Sequence, residues 1–211
     1  MPARATIDAV LRPPKRRFAA YAFGLDGTVC LGDGLLPGAR EAIEALRESG
    51  ARVIFVTNNS AESAADHAAK LTRLGVPTTA DAIVTALDSV RLYLAERHRD
   101  SRLLLVAEPF VQTTLSAWGW TVVEDPAEAD VVIVAVDRAF DFGKLDAAFR
   151  AVVHHGASIV ATNPDPFRPT PEGGLPDCAA ILAAIQACTE VEPEAVLGKP
   201  SALMGSALLD R

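Results

Sequence analysis

The chain has 211 residues, half of them hydrophobic and 22% charged, which is enough for one large domain or two small ones with real cores. Its net charge of −7 argues against general nucleic-acid binding and still allows a local basic pocket for an anion. No apolar run reaches the ~18 residues of a membrane span, and the N-terminus lacks the apolar stretch of a secretory signal.

Residues 1–17 carry Arg4, Arg12, Lys15, Arg16 and Arg17 around Pro13-Pro14 and read as a solvated basic arm. From there, strand-like and helix-like patterns alternate, so the fold class is α/β. Phe18 to Phe23 reads as a buried strand stopping at Gly24. Pro37 opens a helix through Ala39, Ile43 and Leu46, with Gly50 past its end. Val53 to Val56 is a second strand and runs into Thr57-Asn58-Asn59-Ser60. A helix through His67, Leu71 and Leu74 is stopped by Gly75. Ile83, Leu87, Val90 and Leu94 fall at helical spacing. Leu103–Val106, Thr121–Val123, Val131–Val136 and Ser158–Ala161 read as strands, with helices expected at Pro109–Trp118 and Lys144–His154. Gly173-Gly174 and Pro176 mark a loop. A helix over Ala179–Cys188, a short strand at Ala195–Leu197 and a last helix opened by Gly198-Lys199-Pro200 complete the pattern.

Three places could carry chemistry, each immediately after an expected strand, where open α/β sheets bind ligands. In Phe23-Gly24-Leu25-Asp26-Gly27-Thr28, Asp26 is well placed for acid/base work, although an Asp-Gly turn needs no function. In Thr57-Asn58-Asn59-Ser60, a hydroxyl and successive backbone N–H groups suit an anion, and Ser60 or Asn59 could equally cap a helix. In Gly198-Lys199-Pro200, lysine supplies a point charge for a phosphoryl group. Other residues carry less. His154 and His155 are adjacent and face different ways on a helix. His67 and His98 show no partner pattern. Trp118 and Trp120 read as core, and Glu124, Asp125, Glu128 and Asp130 as a solvated loop. Cys30, Cys178 and Cys188 fit no metal spacing and point to a reducing cytoplasm.

Taken in order, Leu25-Asp26-Gly27-Thr28, Val56-Thr57-Asn58-Asn59-Ser60, Ala161-Thr162-Asn163-Pro164-Asp165-Pro166 and Gly198-Lys199-Pro200 resemble the haloacid dehalogenase superfamily. The branch is that of capped small-molecule phosphatases related to 4-nitrophenylphosphatase, phosphoglycolate phosphatase and glycerol-phosphate phosphatase, and the resemblance covers residues 18–211. It implies a Rossmann-like core over 18–80 and 179–211, with an α/β cap inserted at 81–178. It also implies roles. Thr57, Asn58 and Asn59 would bind the phosphoryl oxygens, and Lys199 would neutralise their charge. Asp26 would protonate the leaving alcohol and then activate water, while its backbone carbonyl would be one ligand of Mg²⁺. Arg168, after the Asp165 loop, would read an anionic group on the substrate. The partner is then a small phosphorylated metabolite, with no nucleic acid and no membrane. A homodimer is compatible with the sequence.

Two departures bear on activity. The family's first motif opens with a nucleophilic, Mg²⁺-binding aspartate two residues before the acid/base aspartate, and here that position is Gly24. The family also continues past the lysine with a strand and a Gly-Asp…Asp motif, whereas this sequence ends at Arg211. The core is therefore expected to be C-terminally incomplete, with the strand ending at Gly24 left as an apolar edge and Mg²⁺ held poorly. The expectation is a phosphatase-like protein whose parent activity is Mg²⁺-dependent hydrolysis of small phosphomonoesters through a phosphoaspartate, and which is itself inactive or severely impaired. The competing readings are a non-catalytic phosphate-binding or partner protein and a truncated gene product.

Overall fold

A computed structural model describes residues 16–210. Most of the basic arm expected at 1–17 lies outside the described residues.

The first half builds a small parallel sheet. β1 (Ala20–Gly24), β4 (Arg52–Thr57) and β5 (Ile83–Thr85) pair in the order β1-β4-β5. A two-strand flap, β2 (Cys30–Leu31) and β3 (Gly34–Leu35), follows the first turn. Helices α1 (Ala39–Glu48) and α2 (Ala64–Arg73) come before and after β4. β4 is the central strand and has no polar face, because both of its faces are covered. Val53 and Phe55 pack with Ile43 of α1 and Leu71 of α2. Ile54 and Val56 pack on the other side with Met204 and Ala207. β1 is an edge strand of this sheet, with Ala20 and Ala22 exposed and Tyr21 and Phe23 half-buried.

The second sheet has five parallel strands in the order β12-β9-β8-β6-β7. They are β6 (Arg102–Val106), β7 (Thr121–Val122), β8 (Val131–Val134), β9 (Ser158–Ala161) and β12 (Ala195–Val196). Alternate residues of β6, β8 and β9 again face two cores. One core contains α5 (Phe142–Phe149), the wider helical turn Arg150–His154 that continues it, and α6 (Cys178–Thr189). The other contains α3 (Ala86–Arg97) and α4 (Pro109–Ala117). The antiparallel hairpin β10 (Phe167–Thr170) and β11 (Gly173–Pro176) rises between β9 and α6. The segment 179–211, expected wholly in the core, is thus divided. α6 and β12 sit on the five-stranded sheet, and α7 (Ala202–Leu209) returns to the three-stranded one.

Three expectations need correction. Ile83 does not begin a helix: Ile83, Val84 and Thr85 form β5 and are buried on both faces, and α3 starts at Ala86. The Gly173–Pro176 loop is a strand of the hairpin. α2 is capped by Ser63, not by Ser60 or Asn59: Ser63 Oγ accepts from Asp66 N at 3.0 Å, and Asp66 Oδ2 accepts from Ser63 N.

α3 joins the two halves. Its Leu87, Val90 and Leu94 face the five-stranded sheet, while Ala86 joins the core under α7. At its far end Glu194 accepts from Tyr93 Oη at 2.7 Å and from His98 Nε2 at 3.0 Å. Hydrogen bonds from Ser158, Tyr93 and His98 hold the Glu194 carboxyl down at about 2, and burial beside it pushes the Tyr93 phenol up to about 12. A carboxyl lower in the folded than in the unfolded state stabilises the fold above the unfolded value, and that stability is lost as pH falls through the folded one. Glu194 is 34% exposed, so we expect Glu194→Gln to cost only about 1 kcal/mol at pH 7. Urea denaturation from pH 7 to pH 2 should show the difference from wild type shrinking below pH 4.5. A constant difference would remove this assignment.

Among the described residues no helix is long and apolar enough to cross a membrane.

Candidate active site

The three chemistry-bearing loops meet at the carboxyl ends of β1 and β4 and at the loop after β12. A small cavity of about 60 Å³ is lined by Asp26, Thr57, Asn58, Asn59, Asp165, Arg168, Pro169, Asp177 and Lys199. Every side chain assigned a role from the sequence is in that lining; Gly24 lies beside it.

The first loop is a tight turn. Gly27 adopts φ 75°, and its N–H donates to the Cys30 carbonyl at 2.8 Å, which turns Asp26 off the end of β1. Thr57, at the end of β4, donates from Oγ1 to Asp26 Oδ2 at a long 3.5 Å and accepts from Asn59 N at 3.1 Å. Asn58 links the third loop to the second. Its Oδ1 accepts from Lys199 N at 2.7 Å, and its Nδ2 donates to Lys199 O at 3.0 Å and to Asp165 Oδ2 at 2.9 Å. The Asn58 side chain therefore works as a structural clamp. Lys199 Nζ reaches back to the Val56 carbonyl at 3.4 Å, which places the ammonium over the end of β4. Gly198 has φ 72° and its N–H donates to Ser89 Oγ on α3 at 3.2 Å. Asn59 uses its Oδ1 to accept from Ala61 N at 2.9 Å.

Two carboxylates in the lining had no assigned role. Asp165 follows β9 and is held by Asn58. Asp177 is the N-cap of α6 and is 5% exposed; it accepts from Cys178 N at 2.7 Å and from Asn163 Nδ2 at 3.3 Å. Burial pushes the Asp177 carboxyl above the usual range. The signal for Asp177 was an acid directly before an apolar helical run, the common form of a cap. His67 lies on α2, buried, with Nδ1 3.5 Å from Glu62 Oε2. Burial holds its ring below the usual imidazole value, against the pull of Glu62 and Asp26, so it is neutral at pH 7. His67 Nε2 and Ser60 Oγ are buried without partners among the described residues.

Arg168 and Asp177 also line a larger neighbouring cavity of about 410 Å³, bounded by Ala61, Glu62, Val136, Phe140, Leu175 and Ile181 among others. A phosphoryl-sized space thus opens beside one large enough for the rest of a small ester.

The haloacid dehalogenase-like hydrolase family matches residues 21–121. The sugar-phosphatase AraL of Bacillus subtilis is 33% identical over 189 residues, spanning 90% of this chain and 69% of that protein. The chain belongs to the haloacid dehalogenase-like hydrolases. Within them it falls in the capped phosphatase branch. The solved 4-nitrophenylphosphatase of Thermotoga maritima is 33% identical with a TM-score of 0.82, covering 91% of this chain and 72% of that one. Glycerol phosphate phosphatase Rv1692 of Mycobacterium tuberculosis, solved with magnesium and with calcium, is 31% identical in its magnesium form. Its TM-score is 0.82, covering 92% of this chain and 58% of that one.

The residues present do not fit a divalent cation of that kind. Gly24 offers no carboxylate. Asp165 and Asp177 are engaged by Asn58, Asn163 and the start of α6. Among the described residues no group of three or more His, Cys, Asp or Glu side chains is arranged to hold a metal. Hard cations need several oxygen ligands in near-regular geometry, and Asp26 alone does not supply them.

Proposed function

We propose that the cavity binds the phosphoryl group of a small phosphomonoester, and that the chain turns it over negligibly by itself. The observation that carries this is the company of Gly24. At the end of β1, where the family's attacking carboxylate stands, there is a glycine, while the rest of the phosphate-handling set surrounds it. The Thr57 hydroxyl and the backbone at Asn58 would donate to phosphoryl oxygens. Lys199 would balance their charge, Asn59 would shape the loop, and Asp26 would sit on the leaving-group side as proton donor. Covalent catalysis needs an activated nucleophile, and none of these groups is one.

The similarity to sugar phosphatases supports a phosphorylated sugar or a related small alcohol as ligand. The 410 Å³ cavity would take its organic part, and Arg168 would meet an anionic group. The hairpin β10–β11 would serve as the covering element of a cap built on the five-stranded sheet. The three cysteines are free, two of them buried, which supports a reducing, cytoplasmic setting. A non-catalytic phosphate sensor is the second reading, favoured by the intact Thr57–Asn58–Lys199 clamp.

Inorganic phosphate is expected to raise the melting temperature of the chain, and Lys199→Met to weaken that binding about tenfold or more. A chain that melts at the same temperature with and without phosphate would contradict the reading.

A further inference from the structure

Arg168 and Asp177 line both the 60 Å³ cavity and the 410 Å³ one, so they stand at the neck between the two. Asp177 Oδ1 takes both hydrogen bonds made to that carboxyl, from Cys178 N and from Asn163 Nδ2. Asp177 Oδ2 has no partner among the described residues, yet it is not sealed in as Ser60 Oγ and His67 Nε2 are. The residue is 5% exposed, so this oxygen opens to the cavities it lines. The Arg168 guanidinium, with five donors, makes no hydrogen bond or ion pair among the described residues. Burial pushes the Asp177 carboxyl up, and Arg168 opposes that without pairing with it. The other charges at the larger cavity are engaged: Arg138 pairs with Glu108, Asp137 with Lys144, and Glu62 lies against His67. The small cavity also sets three carboxyls, Asp26, Asp165 and Asp177, against two cations, Arg168 and Lys199. A phosphate dianion alone adds to the negative side of that lining, and a ligand that brings its own cation offsets it.

We propose that the phosphomonoester bound here is an amino acid phosphorylated on its side-chain hydroxyl, with its ammonium on Asp177 and its carboxylate on Arg168. This rests on the phosphate-binding reading above and narrows the small alcohol of that reading to a zwitterionic one. The two open groups have opposite charge and sit side by side without closing on each other, which is the complement of an ammonium and a carboxylate on one carbon. Because both also border the phosphoryl-sized space, the ligand's charges must lie within a few bonds of the ester oxygen. O-phosphoserine and O-phosphothreonine meet that condition. Each contact is a charge-assisted hydrogen bond out of bulk water, the strong kind. A neutral polyol phosphate would leave the Asp177 oxygen and the guanidinium unpaired in the neck, and a buried polar group left unpaired weakens binding.

The test is calorimetric titration of the whole chain at pH 7 with O-phosphoserine, phosphoethanolamine and glycerol 3-phosphate, which carry both charges, the ammonium alone and neither. Affinity is expected to fall in that order, with O-phosphoserine at least about tenfold tighter than glycerol 3-phosphate. Asp177→Asn keeps an oxygen for Cys178 N and a good helix cap, and removes only the charge. It should erase the advantage of phosphoethanolamine over glycerol 3-phosphate. Arg168→Gln should erase the advantage of O-phosphoserine over phosphoethanolamine. O-phosphoserine binding no tighter than glycerol 3-phosphate would overturn the proposal, and so would a preference that both folded variants retain. Should either variant fail to fold, the order of the three ligands on the unmodified chain decides alone. Inorganic phosphate binding without any preference among the three esters sinks this inference only, whereas no phosphate binding at all sinks the reading beneath it.

Discussion

In a carboxylate-free buffer with Mg²⁺, the unmodified chain should hydrolyse 4-nitrophenyl phosphate about 10⁶-fold more slowly than a relative carrying the attacking aspartate. Loss of a nucleophile costs that order in other hydrolases that work through a covalent intermediate. Asp26 cannot take over the role, because it lies two residues on, turned off the strand by the Gly27 bend and approached by Thr57 at 3.5 Å. The Gly24→Asp chain separates two deficits. Its new Cβ needs only a slight shift of Thr28, and its carboxylate would lie beside Lys199. A hydroxylamine-sensitive phosphoenzyme should therefore form. Turnover should recover only in small part, since one added carboxylate does not complete a ligand set for the metal. Steady-state rates of both chains decide the matter, and rapid turnover by the unmodified chain would contradict the account of Gly24.

Gly198→Ala is expected to cost about 2–5 kcal/mol, the sum of left-handed strain and overpacking. Gly198 has φ 72°, and an added Cβ would fall 2.8 Å from both Asn58 Oδ1 and Thr162 O. Asn58 Oδ1 is held by Lys199 N, and Thr162, just past β9, is anchored by its N–H to the Val134 carbonyl, so a retreat of either strains a hydrogen bond. Gly50 makes the control. Its φ is 82° but nothing lies within 4 Å of its would-be Cβ, so Gly50→Ala should cost only about 1–2 kcal/mol. Urea midpoints of the two variants give the difference that belongs to crowding. Phosphate stabilisation should vanish in Gly198→Ala and survive in Gly50→Ala. Equal losses would mean that the packing around Gly198 is more forgiving than its distances imply.

Much of this arrangement was legible because polar motifs interrupt apolar runs at strand ends. Asp26, Thr57, Asn58 and Lys199 could be placed together from that pattern and from the family resemblance, and Arg168 from its position after Asp165. Ile83 was misread because a β-branched triplet buried on both faces has no alternation, so its first residue merged with the helical spacing of α3. The β10–β11 hairpin was missed because Phe167–Thr170 and Gly173–Pro176 contain two prolines and two glycines, the composition of a loop. Its strand character comes from pairing and not from propensity. Ser63 was overlooked as the α2 cap because Asn59 and Ser60, both good caps, stood before it, and only the position of Asp66 distinguishes the reciprocal pair. Asp165 and Asp177 could not be assigned to the cavity from spacing, since their neighbours there come from distant parts of the chain.

The Asn58 clamp has a consequence for the order in which the molecule is made. Its partners Asp165 and Lys199 lie 107 and 141 residues further along the chain. The β1–β4 pair and α2 can pack as soon as they emerge from the ribosome, but the amide of Asn58 must wait until residue 199 has been made before all its bonds can form. Contacts of such sequence separation come late and slowly. The cavity around Asn58 thus closes only after the β1–β4 pair and α2 are in place. By the same logic, on the proposed phosphate-binding reading, the docking of the Gly198–Pro200 segment is the step at which a bound phosphate would first begin to stabilise the fold.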